Sequence, residues 1–306
     1  MPSLFDLHCD MPTEAYGRDL PITDPSLMAS AAKANGFEQY VQVAAIWSDC
    51  RLDNEAAYRR YLDVRDDFRQ KTAACGYSLA ARAEELSDRG VSYMLAVEDA
   101  RILNGDLSRL EGLYQDGVRF LTLTWAGESV IGGAFDTSAP LTAFGRQVVT
   151  ECFRLGIIPD LSHASDAVIG EVLEMAEAQA RPVVATHSNS RSVHPHKRNL
   201  TDDHFRRITA LGGIVGISLC PPHLCEGDCT AEHVLAHVRH YLSLGGEHSL
   251  CLGCDFDGIE STPKGLEDLS CLPDFYNALT GLDPDGETAN RLFYQNARDF
   301  LDRAAL

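Results

Sequence analysis

Basic residues are scarce in this chain: 26 lysines and arginines stand against 45 aspartates and glutamates, a formal charge of −19. Such a surface repels phosphate backbones and anionic headgroups, so neither nucleic acid nor a membrane is an expected partner. Its plainest meaning is solubility. Also lacking is any run of roughly 18 uncharged apolar residues, the length a membrane helix needs. The opening MPSLFDLHCD has no basic segment leading into an apolar core, and a cytoplasmic location is expected. No phosphate-binding glycine loop is present, since Gly212, Gly213 and Gly216 lack the required order and open a strand rather than a helix. No G-x-S-x-G elbow supports serine-based acyl transfer.

What is present is the composition of a folded globular protein, 45% apolar and 23% charged. The 306 residues exceed the usual domain, yet α/β barrels run to roughly 250 residues or more as one unit. Ten scattered cysteines read as reduced thiols rather than a disulfide framework. Cys220, Cys225 and Cys229, with His223 between them, imitate a zinc loop but lack paired C-x₂-C units, so they read as incidental thiols. Cys251 and Cys254 do make a C-x₂-C, inside a strand where packing explains them.

Eight short apolar or β-branched runs recur along the chain, at Ser3–Leu7, Tyr40–Ile46, Ser92–Val97, Val118–Thr124, Ile157–Leu161, Pro182–Thr186, Gly213–Ile217 and Ser249–Gly253. Amphipathic stretches lie between them, at Asn54–Cys75, Leu141–Leu155, Asp166–Ala178, Asp202–Leu211 and Ala231–Leu244, with a last helix over Glu287–Arg303. Thr201 or Asp202 would cap the fourth. Parallel strands covered by helices, with no linker or repeat to divide them, predict one (β/α)₈ barrel over residues 1–306.

Residues with metal-ligand chemistry follow five of these runs, and barrel enzymes build their sites at such strand ends. His8 and Asp10 are two apart, so strand alternation gives them one face. Alone, His-x-Asp is a polar strand end. Glu98 ends YMLAVE, where burial is costly unless the carboxylate is paired or bound to a cation. His163 follows IIPDLS and His187 follows PVVAT, and neutral imidazoles there suit zinc or a similar divalent ion. A single strand-end histidine is more often structural; two on successive strands point to a metal. In CLGCDFDG, Asp255 is favoured as general acid/base, with Asp257 competing from further out, towards the Gly258 turn.

These residues, in DLHCDMP, AVEDA, RFLTLTW, PLTAFGRQVV, DLSHAS, THSNSRSVHPHKRNLTDD, and GCDFDG with GLEDLS, resemble the membrane (renal) dipeptidases, a branch of the metal-dependent amidohydrolases, nearly end to end. The resemblance implies two zinc ions, one on His8, Asp10 and Glu98 and one on Glu98, His163 and His187, with Glu98 bridging. It implies that a hydroxide shared by the metals attacks the peptide carbonyl of a dipeptide, and that Asp255 passes a proton to the leaving amine. Arg198 aligns with the arginine that receives the substrate's C-terminal carboxylate. Barrels of this family are often homodimers.

One departure stands out. The family usually carries a substrate-binding histidine where this chain has Trp125, and indole donates one hydrogen bond but neither accepts a proton nor carries charge. Two further readings follow: hydrolysis of another small amide, such as a D-residue dipeptide or a cyclic amide, and a catalytically silent metal-containing binding protein.

Overall fold

The computed structural model describes residues 1–281 and 286–306. Its strands are β1 (Leu4–Cys9), β2 (Gln39–Trp47), β3 (Ser78–Ala80), β4 (Gly90–Glu98), β5 (Val118–Thr122), β6 (Ile158–Asp160), β7 (Val215–Ile217) and β8 (Leu250–Leu252). All pairings are parallel, in the order β6-β5-β4-β2-β1-β8-β7. Seven of the eight expected runs form these strands. The remaining one, Pro182–Thr186, contributes only Val184 and Ala185, which bridge to Asp160 and Val215. Those two residues close the ring between β6 and β7 through Leu161 N–H to Val184 O (2.8 Å) and Gly216 N–H to Ala185 O (2.8 Å). Pro182 has no N–H to donate, which shortens the ladder there. The unanticipated β3 is three residues long and pairs with β4 below the point where β5 takes over.

Phe5, Leu7, Val41, Val43, Met94, Ala96 and Phe120 form one apolar cluster inside the ring. Phe300 and Leu301, from the last helical turns, join it beside the strand starts and close that end. A larger cluster between the strands and the surrounding helices carries Tyr93, Leu95 and Val97 with Val148, Val172 and Phe205. Fully burying side chains of this size contributes about 1.5–3 kcal/mol each.

The helices follow their sequence signals closely. Asn54–Cys75 is helical over that whole range, capped by Asp53 and ended by Gly76 in the left-handed conformation. Thr201 caps the helix Asp202–Ala210, its hydroxyl accepting from His204 N–H at 3.1 Å. The last helix is interrupted by a wider turn over Arg291–Gln295. A helix absent from the sequence reading, Met11–Gly17, begins directly after Asp10.

Candidate metal centre

The pairing of β1 with β2 slips by one residue between Asp6 and Cys9. Below the slip, Phe5 and Leu7 share the barrel interior with Met94 and Ala96; above it, His8 lies 3.6 Å from Glu98, the next residue on that same face of β4. A one-residue bulge switches side chains to the opposite face, which brings His8 and Asp10 inward at the mouth. Asp10 sits at the start of helix Met11–Gly17, but its side chain makes no capping bond and stays within 3.6 Å of His8 Nε2. Gly258 packs against it so closely that a Cβ there would lie 2.1 Å from Asp10 Oδ2.

Glu98 is buried and divides its two oxygens. Oε2 faces His8 Nε2 at 3.6 Å; Oε1 faces His163 Nε2 at 3.0 Å and His187 Nε2 at 3.5 Å. The two latter imidazoles converge, Nε2 to Nε2, at 2.9 Å. His8 Nε2 and Asp10 Oδ1 are buried with no hydrogen-bond partner. Unpartnered buried donors and acceptors are costly, and a cation at their centre would satisfy them. All five expected ligands are therefore brought together. His8, Glu98 and His187 offer ligand atoms within 4.8 Å of one another, as do His8, Asp10 and Asp255.

Behind the imidazoles lies a polar shell that the sequence reading missed. Asp160 accepts from the hydroxyls of Thr122 (2.7 Å) and Thr186 (2.6 Å) and from Thr186 N–H (2.9 Å). Thr186 Oγ1, its proton given to Asp160, lies 2.8 Å from His187 Nδ1 and accepts the Nδ1 proton, leaving Nε2 with a lone pair towards Glu98's side of the site. A carboxylate inside the apolar run Ile157–Leu161 was the available signal.

Electrostatics separate the two halves. Burial opposes a charge on His8, but Glu98 and Asp10 outweigh it and push its pKa well above the usual value. Burial pushes His163 and His187 well below, helped by the positive Arg198 and His8. Burial next to Glu98 raises Asp10 to about 7. Asp255 is held well above the usual carboxylate range by burial and by Asp10 and Glu98, against the pull of His8 and Arg198. Both His163 (φ 68°) and Asp255 (φ 65°) adopt the left-handed backbone that side chains avoid, a strain concentrated at this mouth.

The two candidate acids part here. Asp255 Oδ1 lies 3.9 Å from His8 Nε2. Asp257 turns its carboxylate to the backbone, accepting from Met28 N–H at 2.6 Å and Ala29 N–H at 3.0 Å. Arg198 is buried beneath the site, its guanidinium donating to Ser188 Oγ (2.9 Å) and His187 O (3.0 Å), with Nε buried and unpartnered.

A cavity of about 610 Å³ opens over Asp10, Glu98, His163 and Asp255. Trp125 lines it beside Trp47, ring centroids 5.1 Å apart and nearly edge-on, and 6.0 Å from His163. Phe135 extends this apolar wall, and Glu14, Arg18 and Arg60 form a charged border. Trp47 is the last residue of β2, and nothing in its local sequence marks it for this wall. The volume suits a small organic ligand. Among the described residues, no helix is long and apolar enough to cross a membrane.

The pattern of the family described as Membrane dipeptidase (Peptidase family M19) matches residues 2–297. Dipeptidase 3 of Macaca fascicularis is 34% identical over 244 residues, 75% of this chain and 49% of that protein. The chain thus spans about half the length of the curated relatives it matches. A crystal structure of dipeptidase AC, a metallopeptidase of family M19, superposes with a TM-score of 0.92 at 26% identity, covering 99% of this chain and 98% of the other. A metallopeptidase from Rhodobacter sphaeroides, liganded with a phosphinate mimic of the dipeptide L-Ala-D-Ala, gives a TM-score of 0.91 at 25% identity over 99% of both chains.

Proposed function

The chain belongs to the membrane dipeptidase family, peptidase family M19, and from that membership we propose that it hydrolyses dipeptides with two zinc ions held about Glu98. The observation that carries this reading is the division of Glu98, one oxygen towards His8 and the other towards His163 and His187. His8 and Asp10 would hold the first ion with Glu98, and His163 and His187 the second. Three imidazoles and two carboxylates suit zinc. Bound there, the ions supply an activated water at neutral pH and positive charge facing the developing oxyanion.

The remaining groups bind, orient and move protons. Asp255, beside His8 and with its proton affinity raised by burial, takes the proton of the attacking water and returns it to the leaving amine. Arg198 receives the substrate's C-terminal carboxylate, with the unpartnered Nε among its remaining donors. Trp125 covers the substrate with Trp47 and offers one indole N–H. The Rhodobacter sphaeroides protein's L-Ala-D-Ala mimic makes L,D dipeptides candidates beside L,L ones.

The test is turnover of L,L and L,D dipeptides by zinc-loaded protein, lost on chelation and restored by zinc. Well under one zinc per chain, with no cleavage after zinc addition, would overturn the proposal. A second reading rests on Trp125: an indole in place of the family's histidine favours a different small amide, and cyclic amides in the same panel separate the two. Tight dipeptide binding without turnover would mark a silent binding protein.

A further inference from the structure

Away from Glu98, a second group of metal-type side chains lies on the loop and helix that follow β7. Cys225, Cys229 and His233 each offer one ligand atom, and the three atoms lie within 4.8 Å of one another. We propose that these residues form a separate site for one soft divalent cation of the zinc type, bound through two thiolates and one imidazole.

The local chain is built to bring them together. Gly227 has a φ of +73°, the left-handed conformation that lets the loop fold back, so that Cys229 returns to Cys225. Four residues further on, His233 sits in the first turn of helix Ala231–Ser243. Thr230 N–H donates to its Nδ1 at 3.1 Å, with the Thr230 hydroxyl also 3.1 Å from that nitrogen, and the two fix the ring. Metal binding at Nε2 requires the ring proton to move to Nδ1, which gives up the bond from Thr230 N–H; the Thr230 hydroxyl, 3.1 Å away, then accepts that proton, the kind of outer partner that metal-bound imidazoles keep.

Zinc–sulfur and zinc–nitrogen bonds of about 2.3 and 2.0 Å in a tetrahedron put donor atoms roughly 3.5–3.8 Å apart. The three atoms therefore need only a small contraction. Cys225, Cys229 and His233 are all partly exposed, so an ion reaches them from solvent, and the fourth position falls to water. Binding converts both thiols to thiolates, and two protons leave to solvent. The spacing is C-x₃-C-x₃-H, with neither C-x₂-C nor H-x₃-H, which is why standard zinc patterns do not find it.

The donor set also differs in kind from that around Glu98, which contains no sulfur, and thiolates select softer metals. Its effect would be mechanical. Cys220 and His223, earlier on the same loop, line the cavity. Cys229 O accepts from Lys264 N–H at 2.9 Å, tying the loop to the segment that runs on from Gly258. A cation on Cys225, Cys229 and His233 pins this wall of the cavity to the helix behind it.

Cobalt(II) titration of the metal-free full chain tests the site. A thiolate-to-cobalt charge-transfer band in the near ultraviolet is expected, since carboxylate and imidazole ligands produce none. It should disappear in both Cys225→Ser and Cys229→Ser. The wild-type protein gives an independent readout: iodoacetamide labelling of Cys225 and Cys229, mapped by mass spectrometry, should fall at least several-fold once cobalt is bound. No band, a band that survives both substitutions, or labelling unchanged by cobalt overturns the proposal. None of these readouts depends on dipeptide turnover, so they stand apart from the fate of the Glu98 centre.

Discussion

Thr186 Oγ1 lies 2.8 Å from His187 Nδ1 and 2.6 Å from Asp160 Oδ2. The hydroxyl gives its proton to the carboxylate and accepts the imidazole's, so one threonine decides which nitrogen of His187 faces Glu98. Replacing Thr186 by valine keeps the shape and removes this control. Zinc affinity is expected to fall about 10- to 100-fold, measured by competition with a chromogenic chelator. Unchanged affinity would mean that the tautomer is set elsewhere.

The two aspartates after β8 should separate cleanly. Asp255→Asn is expected to lower kcat about 10²- to 10⁴-fold while zinc content stays near wild type, because the amide cannot take a proton. Asp257→Asn loses one of two backbone N–H partners, at Met28 or Ala29. It should destabilise the fold by about 1–3 kcal/mol and leave kcat within a few-fold. Denaturant unfolding and steady-state kinetics on the two variants check both, and a reversed pattern would exchange their roles.

Zinc uptake should depend on pH with a definite sign. In the metal-free protein, burial next to Glu98 raises Asp10 from 3.8 to about 7, so its proton is bound below that pH and must leave when metal binds. His8, raised well above its usual value by Glu98 and Asp10, holds another. Apparent affinity therefore rises as pH climbs through about 7 and keeps rising above it, by roughly tenfold per unit for each proton displaced. Calorimetry in buffers of different ionisation enthalpy counts the protons released; a flat affinity from pH 6 to 8 would contradict this.

Trp125 governs which substrate fits. Trp125→His introduces a group that can donate, accept and carry charge beside His163. It is expected to raise kcat on dipeptides by about tenfold or more. Trp125→Phe preserves the wall against Trp47 but loses the indole N–H, and a change in KM alone would assign Trp125 to binding rather than to the oxyanion.

Much of this centre was legible from residue order. His8, Asp10, Glu98, His163 and His187 follow short apolar runs, and a parallel barrel carries every strand end to one mouth; alternation and helix caps are local, so Asn54–Cys75 and the Thr201 cap could be read directly. What depends on distant pairing could not. The slip between Asp6 and Cys9 that turns His8 inward exists only against β2, and the bridges by which Val184 and Ala185 close the ring exist only between Asp160 and Val215.

The same division explains the side chains. The amino-acid order determined which residues have the chemistry to bind metal, since donor type belongs to the residue itself. Only the tertiary structure decided that Asp255 faces His8 while Asp257 faces Met28 and Ala29, that Trp47 meets Trp125, and that Cys225 and Cys229 gather with His233 rather than His223. Each of those outcomes turns on a backbone direction or a contact set by another part of the chain.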